Sequence, residues 1–177
     1  HWRYVLRYPP AFEKFLPVSD RNRSLMSKPP EDIIINEYDN SILYTDHVLH
    51  TIATMINNSG AKGTMLFVSD HGENINDDGG LYFHSYKPTP HTAHVPLFIY
   101  PTDNFAAKYP QLISNMRANA GKKISSAESV FYTMTDLAGL ILNGDDSTKK
   151  LTSPALLPSK QQILGDNGKV YNYADLK

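Results

Sequence analysis

The amino-acid sequence predicts an α/β fold, and three stretches carry that prediction. A long segment with helical periodicity begins at Glu31 and ends at "NNSG", residues 57–60. Two short apolar runs follow, "GTMLFVSD" at residues 63–70 and "VPLFIYP" at residues 95–101, and further helical patterns come after the second run. A helix, a strand, a loop, a strand and more helices of these lengths are typical of a layered α/β domain.

The composition is that of an ordinary globular domain, and it excludes several kinds of protein. The chain has 177 residues, of which 41% are hydrophobic and 20% are charged, with a formal net charge of −1. Nothing in this charge balance suggests an extended basic surface, so nucleic acid is not an expected partner. The absence of cysteine excludes disulfides and thiolate-bound zinc. No apolar run approaches the ~20 residues that cross a bilayer.

The first 30 residues contain five prolines among aromatic and basic residues. Proline removes a backbone donor and interrupts helices, so this span is predicted to be an extended surface segment. We expect Tyr8, Phe12 and Phe15 to hold it against the rest of the fold.

The segment after Glu31 is predicted to be a helix of about seven turns with one buried face. Glu31 and Asp32 favour its start because acidic side chains stabilise a helix N-terminus. Val48 and Met55 widen its apolar stripe. The stripe itself recurs at alternating steps of three and four residues: Ile35, Tyr38, Ile42, Thr45, Leu49, Ile52 and Ile56.

Both apolar runs are predicted to be strands buried on both faces, because they lack alternation and are bounded by Gly, Asp or Pro. One helix is predicted over residues 104–119. Another begins at Ser125 and Ser126, where Glu128 suggests a capping box, and continues through "VFYTMTDLAGL". After Gly144 the chain is polar and rich in proline, and no regular element is predicted there.

Asp70 and His71 stand side by side where the first apolar run ends. Ligand sites in α/β sheets lie outside the carboxyl ends of strands. A carboxylate oxygen and an imidazole nitrogen suit Zn²⁺ or Mn²⁺, and Gly72 lets the backbone turn away at once. These residues alone are explained equally well by Asp70 capping a turn and His71 making a local hydrogen bond. Both interpretations stay open at this point.

A family resemblance favours the metal interpretation. "VSDHGE" after a strand, "YDNSILYTD" in the preceding helix and "HVPLFIY" in the next strand together resemble the sulfatase-like branch of the alkaline phosphatase superfamily. The opening "HWRYVLRYPPAFEKF", followed by "NEYDNSILYTDHVL", is similar to the bacterial phosphoethanolamine transferases. These are inner-membrane enzymes with a periplasmic catalytic domain.

The resemblance implies a layered alkaline-phosphatase/sulfatase-like sheet with flanking helices, present here as a partial domain. Residues 1–177 would be the C-terminal portion of the catalytic domain. Its N-terminal half and its membrane anchor are expected upstream, because the chain opens without an initiator Met. The implied location is the periplasmic face of the bacterial inner membrane.

The resemblance also implies a chemistry. In this family one Zn²⁺ is held by a Glu, a nucleophilic Thr and an Asp-His pair at a strand end, and Asp70 and His71 match that pair. The Thr takes phosphoethanolamine from phosphatidylethanolamine and passes it to a hydroxyl of lipopolysaccharide. Zinc lowers the pKa of the attacking hydroxyl, and the covalent intermediate divides one displacement into two. Mn²⁺ is the alternative metal.

The Glu and the nucleophilic Thr are expected upstream of this chain. The strand-to-helix turn in question is expected ahead of the "YDN" helix, and it holds none of Thr45, Thr51, Thr54, Thr64, Thr89 and Thr92. With two of its ligands absent, the tetrahedral site is half built, so weak or no zinc binding and no turnover are expected of the chain alone.

Three further histidines are candidates for the substrate phosphate. His84, in "LYFHSY", matches a family histidine that contacts the phosphoryl group or a second zinc. His1 matches another that precedes the "RYP" segment. His94, in "PHTAHVP", either faces the site or bonds a loop carbonyl, and His91 is interpreted as structural. His47 and His50 are expected to face solvent or to pack along the long helix.

Two acidic groups near the pair have competing interpretations. Glu73 either accepts a hydrogen bond from His71 or is a solvated loop carboxylate. Asp77 and Asp78 resemble part of a calcium loop, but the remaining ligand spacing is absent, so calcium is rejected.

The acceptor and the competing functions depend on finer features. Relatives that modify lipid A carry cysteines around residues 17–28, where this chain has none, and its opening is closer to transferases that act on core heptose. Core heptose is therefore the preferred acceptor. The alternatives are a sulfatase, a phosphoglycerol transferase that uses Mn²⁺, and a non-catalytic relative kept for binding.

Overall fold

The chain folds into helices and short strands, which confirms the α/β prediction. The computed structural model describes residues 3–24, 27–77, 82–84 and 87–176. Short 3₁₀ turns lie at Tyr4–Leu6, Pro10–Phe12, Ser147–Lys149 and Tyr173–Asp175. The regular elements are α1 (Glu31–Asn58), β1 (Thr64–Val68), α2 (Pro90–Ala93), β2 (Leu97–Pro101), α3 (Asp103–Lys108), α4 (Pro110–Asn119), α5 (Ser126–Leu137), β3 (Gln162–Leu164) and β4 (Val170–Asn172).

The two predicted strands pair with each other and are antiparallel, with Thr64 opposite Pro101 and Val68 opposite Leu97. The end of β1 therefore lies beside the start of β2. The prediction that both strands are buried on both faces is wrong, because every residue of β1 is partly accessible and Phe98 in β2 is 40% exposed. Within the described ranges β1 and β2 form a sheet of only two strands, which leaves their faces partly open.

Helix α1 has the predicted bounds, but its predicted buried face is wrong. Ile42 is 50% exposed, and Met55, farther along the stripe, is 67% exposed. Val48 and Ile52 are also exposed. The residues that α1 does bury are Ile34, Glu37, Asn40 and Ala53.

The N-terminal segment explains why α1 buries polar residues. The Asn40 Oδ1 atom accepts hydrogen bonds from the backbone N–H groups of Lys14 at 2.8 Å and Phe15 at 3.0 Å, and its Nδ2 donates to the Phe15 carbonyl at 2.9 Å. The Glu37 carboxylate accepts from the Ser19 backbone N–H at 3.0 Å and from its hydroxyl. We call these five residues the polar clasp.

The polar clasp replaces part of the packing that the aromatic residues were predicted to supply. Tyr8 is buried and Phe12 packs its ring 4.9 Å from that of Tyr44, as expected. Phe15 is 44% exposed, so its predicted anchoring role is wrong. The segment is otherwise extended, apart from its two 3₁₀ turns.

Two predictions for the later helices also need correction. The predicted helix over residues 104–119 is broken into α3 and α4, because Pro110 has no N–H to continue the first helix and instead begins the second. Helix α5 begins at Ser126 as expected, but Ser125 makes no side-chain capping bond. A short hairpin, β3–β4, occurs where no element was predicted.

The C-terminal region is fixed by buried polar groups. The Asn119 amide on α4 donates to the carbonyls of Leu151 at 2.8 Å and Ser153 at 2.7 Å. The ammonium group of Lys150, which is 7% exposed, lies 2.9 Å from Asp136 and 2.5 Å from Asp145. Within the described residues, no helix combines the length and the apolar character that crossing a bilayer requires.

Candidate metal and phosphate site

The loop after β1 is held against α2. Asp70 and His71, which precede Gly72 in this loop, line a cleft. The Gly72 N–H donates to the Thr92 carbonyl at 2.9 Å. A Cβ atom at Gly72 would lie 2.0 Å from the His91 carbonyl oxygen, so only glycine fits this approach.

Asp70 and His71, at the end of β1, place a carboxylate oxygen and an imidazole nitrogen close together. The His71 Nδ1 lies 2.8 Å from the Gly72 carbonyl, a contact that requires the hydrogen on Nδ1 and so leaves the lone pair on Nε2. That Nε2 lies 4.0 Å from Asp70 Oδ1. Neighbouring ligands of a tetrahedral zinc are ~3.4 Å apart. The Asp70 side chain is 85% exposed, so a small rotation closes the difference.

His84 lies beside His71 although it is thirteen positions farther along the chain. Asn74 and Phe83 exchange backbone hydrogen bonds, and Ile75 forms an isolated antiparallel bridge with Tyr82. This closure places the rings of His71 and His84 with their centroids 4.0 Å apart.

Glu73 completes a cluster with the two histidines. Its side chain is 7% exposed, and its Oε1 atom lies 3.5 Å from His84 Nδ1. One potential ligand atom from each of His71, Glu73 and His84 lies within 4.8 Å of the others. The solvated-loop interpretation of Glu73 is therefore wrong, because its carboxylate is buried beside the two histidines. Two imidazole nitrogens and carboxylate oxygens form a donor set that suits zinc.

Two tyrosines adjoin the Glu73 carboxylate. Tyr4 is buried, and its ring lies edge-on to that of Tyr38, with centroids 5.2 Å apart. Burial raises the pKa of both hydroxyls, and the negative charge of Glu73 raises each pKa further. Both tyrosines therefore remain neutral at physiological pH and place hydrogen-bond donors beside the carboxylate.

A buried polar network holds the loop that follows β1, and this network was not predicted from the sequence. The Asn74 side chain is fully buried; its Nδ2 donates to the Phe83 carbonyl at 3.1 Å and its Oδ1 accepts from the Thr89 hydroxyl at 2.9 Å. Thr89 and Thr92 form a capping box at the start of α2. The "TPHT" pattern, with Thr before Pro and a second Thr three residues on, was the available signal for this cap.

The described candidates share one cleft of about 1400 Å³, which is lined by Asp70, His71, His84 and His94. His94 is exposed, and its ring meets that of Tyr173 edge-on with centroids 6.1 Å apart. His1 and Asp78 lie outside the described residues. His47 packs on Phe12, away from the cleft.

Comparison with known proteins identifies the family. A family model described as Sulfatase matches residues 1–140. This chain belongs to the sulfatase family. The matched region includes α1, both strands of the first sheet and every described site residue. The predicted sulfatase-like fold is thereby confirmed.

Among curated proteins, the relatives are phosphoethanolamine transferases. EptA of Salmonella typhimurium is 31% identical over 142 residues, which cover 77% of this chain and 25% of that protein. EptC of Escherichia coli K12 is 30% identical over 158 residues, which cover 87% of this chain and 26% of that protein. The chain thus spans about a quarter of the length of these relatives.

Among solved structures, the C-terminal periplasmic domain of E. coli EptC in complex with Zn matches with a TM-score of 0.82 and 28% identity. The match covers 99% of this chain and 49% of that one. A second structure of the same domain matches with a TM-score of 0.84 at 27% identity. The chain therefore shares its fold with about half of a periplasmic domain.

Proposed function

We propose that the protein containing this chain transfers phosphoethanolamine from phosphatidylethanolamine to a hydroxyl group of lipopolysaccharide, with core heptose as the preferred acceptor. The observation that carries the proposal is the convergence of Asp70, His71 and His84 on one cleft, beside the end of β1. The named activity of the EptA and EptC relatives supports the reaction class.

In this proposal Asp70 Oδ1 and His71 Nε2 hold a Zn²⁺ ion. The donor atoms fit zinc, and the structure of the EptC domain with Zn favours zinc over Mn²⁺. Zinc bound there would stabilise negative charge on the phosphoryl oxygens and lower the pKa of the attacking hydroxyl. Glu73 orients the His84 ring through Nδ1, so that the ring faces the substrate phosphate. His94, which lines the same cleft, and His1 are proposed to bind the same phosphate.

The nucleophile in this proposal is a threonine outside the chain. Its oxygen attacks phosphorus, the bond from phosphorus to the diacylglycerol oxygen breaks, and that oxygen takes up the proton that the threonine hydroxyl gives up. The acceptor hydroxyl then attacks the phosphothreonine, and the threonine oxygen leaves as a hydroxyl. Each step exchanges one P–O bond for another. The site therefore has to orient the reacting groups and neutralise the charge on the phosphoryl oxygens rather than supply energy.

We also propose that residues 1–177 are the C-terminal portion of the catalytic domain, completed by an N-terminal half that covers the open apolar face of α1. The exposed apolar residues of α1 support this, as does the match to only half of the EptC domain. The complete protein would be anchored in the inner membrane, with this domain at its periplasmic face.

The decisive experiment replaces the two proposed ligands in the full-length protein. Asp70→Ala and His71→Ala are each expected to lose bound zinc and at least ~100-fold in transfer rate, because an incomplete site no longer holds the metal. Their melting temperatures should stay close to that of the unmodified protein, since both side chains lie outside the core. Asp46→Ala and His50→Ala, at exposed positions on α1, are the matched controls.

His84→Ala separates the roles within the site. It is expected to raise the KM for substrate while zinc content is retained, and loss of zinc would instead make His84 a ligand. Retained transfer in Asp70→Ala or His71→Ala would contradict the proposal. Sulfate release, glycerol phosphate transfer or no turnover by the unmodified protein would favour a sulfatase, a phosphoglycerol transferase or a non-catalytic relative, respectively.

A further inference from the structure

Three cationic residues line the same cleft as the proposed metal ligands. Arg117 lies in the last turn of α4, and Lys122 and Lys123 follow that helix. All three residues are exposed. We call them the cationic wall.

No carboxylate of the described residues lies within ion-pair distance of the cationic wall, although Asp70 and Asp166 line the same cleft. None of its three members forms an ion pair within the described ranges, and the polar contact found for Lys122 Nζ is with the Leu156 carbonyl at 3.3 Å. Other basic residues of the fold are neutralised: Arg21 lies 2.7 Å from Glu13, and Lys150 lies between two aspartates. The cleft therefore carries an excess of positive charge at this wall, where an anion would be attracted.

Hydrogen bonds hold the backbone that carries Lys122 and Lys123 of the cationic wall. Lys122 donates its backbone N–H to the Asn119 carbonyl at 3.2 Å, and the Asn119 amide is itself bonded to two carbonyls of the C-terminal region. The Lys123 carbonyl accepts from the Ser159 N–H at 3.2 Å. The backbone that carries the cations is thus tied to buried structure, while the three residues themselves line the cleft and are exposed.

We propose that the cationic wall binds phosphate groups of the acceptor glycolipid while the Asp70–His71 end of the cleft holds the phosphate being transferred. This inference rests on the proposed function. The donor lipid carries a single phosphate, which is the group that must sit at the metal, so a second phosphate-binding surface on the same cleft serves the other substrate. The wall would set acceptor specificity by favouring saccharides that carry phosphate near the accepting hydroxyl.

The test is a charge-matched pair of triple variants in the full-length protein. One carries Arg117→Gln, Lys122→Gln and Lys123→Gln. The control carries Lys62→Gln, Lys108→Gln and Lys160→Gln, which remove the same charge from exposed positions that do not line the cleft. The double variant Arg117→Gln, Lys123→Gln retains the Lys122 contact, in case the first triple variant folds poorly.

Transfer from phosphatidylethanolamine is measured with phosphorylated lipopolysaccharide and with lipopolysaccharide dephosphorylated by hydrofluoric acid. The wall variants are expected to raise the KM for the phosphorylated acceptor roughly three- to tenfold, as the loss of two or three exposed charge contacts implies. The kcat and the KM for the donor should stay unchanged, and the effect should vanish with the dephosphorylated acceptor and at high salt. A raised donor KM would assign the wall to the donor headgroup and overturn the proposal.

A binding measurement keeps this inference separate from the proposed function. Deacylated lipopolysaccharide oligosaccharide that retains its phosphates is titrated into the unmodified protein and both triple variants. Weaker binding by the wall variants alone would support the wall even if no transfer occurs. Equal binding by all three proteins would overturn the wall proposal. It would not affect the transferase assignment, which the Asp70→Ala and His71→Ala variants test.

Discussion

The two halves of α1 differ in a way that reverses the usual pattern of a surface helix. Its first half buries a carboxylate and an amide, since Glu37 and Asn40 are 1% and 0% exposed. Its second half leaves Ile52 and Met55 40% and 67% exposed. The difference shows that what a helix buries is decided by its neighbours. Backbone groups of the N-terminal segment need polar partners, whereas the described part of the chain leaves Ile52 and Met55 exposed.

The largest expected effect comes from breaking the polar clasp at Asn40. Asn40→Ala removes the partners of two part-buried N–H groups and one carbonyl, so the free energy of unfolding should fall by about 1–3 kcal/mol. Urea unfolding followed by circular dichroism measures it, with Asp46→Ala on the exposed side of the same helix as control. If the free energy of unfolding falls no more in Asn40→Ala than in the control, water replaces the hydrogen bonds of the polar clasp without loss of stability.

A second buried polar contact tests whether the clasp is typical of this fold. Lys150→Met removes the cation between Asp136 and Asp145 and should lower the free energy of unfolding by about 1–3 kcal/mol. The exposed variant Lys160→Met is the matched control. Equal stability of the two variants would show that the Lys150 pairs contribute nothing.

Lys150 also predicts a pH dependence. Hydrogen bonds to Asp136 and then Asp145 raise the pKa of Lys150 above its ordinary value of 10.5. A raised folded-state pKa means that the stabilisation is fully present below pH 10.5 and is lost as the pH rises through the folded value. The difference in unfolding free energy between the unmodified chain and Lys150→Met should therefore be constant from pH 7 to 9 and shrink in more alkaline solution.

The smallest expected effect lies on the exposed half of α1. Met55→Gln should change the stability of the 177-residue chain by less than ~0.5 kcal/mol, because an exposed side chain gains little from being apolar. In the full-length protein the same change should cost about 1–3 kcal/mol if a second half-domain covers this face. Thermal unfolding of both forms, with Thr51→Gln as the exposed control, measures the difference. Equal effects in the two forms would contradict the proposed cover.

The sequence by itself determined the features that depend on neighbouring residues. The acidic start and the Ser-Gly end set the bounds of α1, and the apolar runs with their Gly, Asp and Pro boundaries set the two strands. The Asp70–His71 pair was identifiable for the same reason, because its position follows from the end of β1. Pro110 is a local signal for the break between α3 and α4, although a single helix was predicted there.

Only the tertiary structure decided which surfaces meet. The antiparallel pairing of β1 with β2, the polar buried face of α1 and the approach of His84 to Glu73 all join residues that are distant along the chain. Asn74 illustrates why these were not predictable: in the sequence it is one more polar loop residue, and its burial follows only from the threonine and the carbonyl that surround it. Periodicity reports what a segment could bury, whereas the partners that satisfy its polar groups are supplied by the rest of the fold.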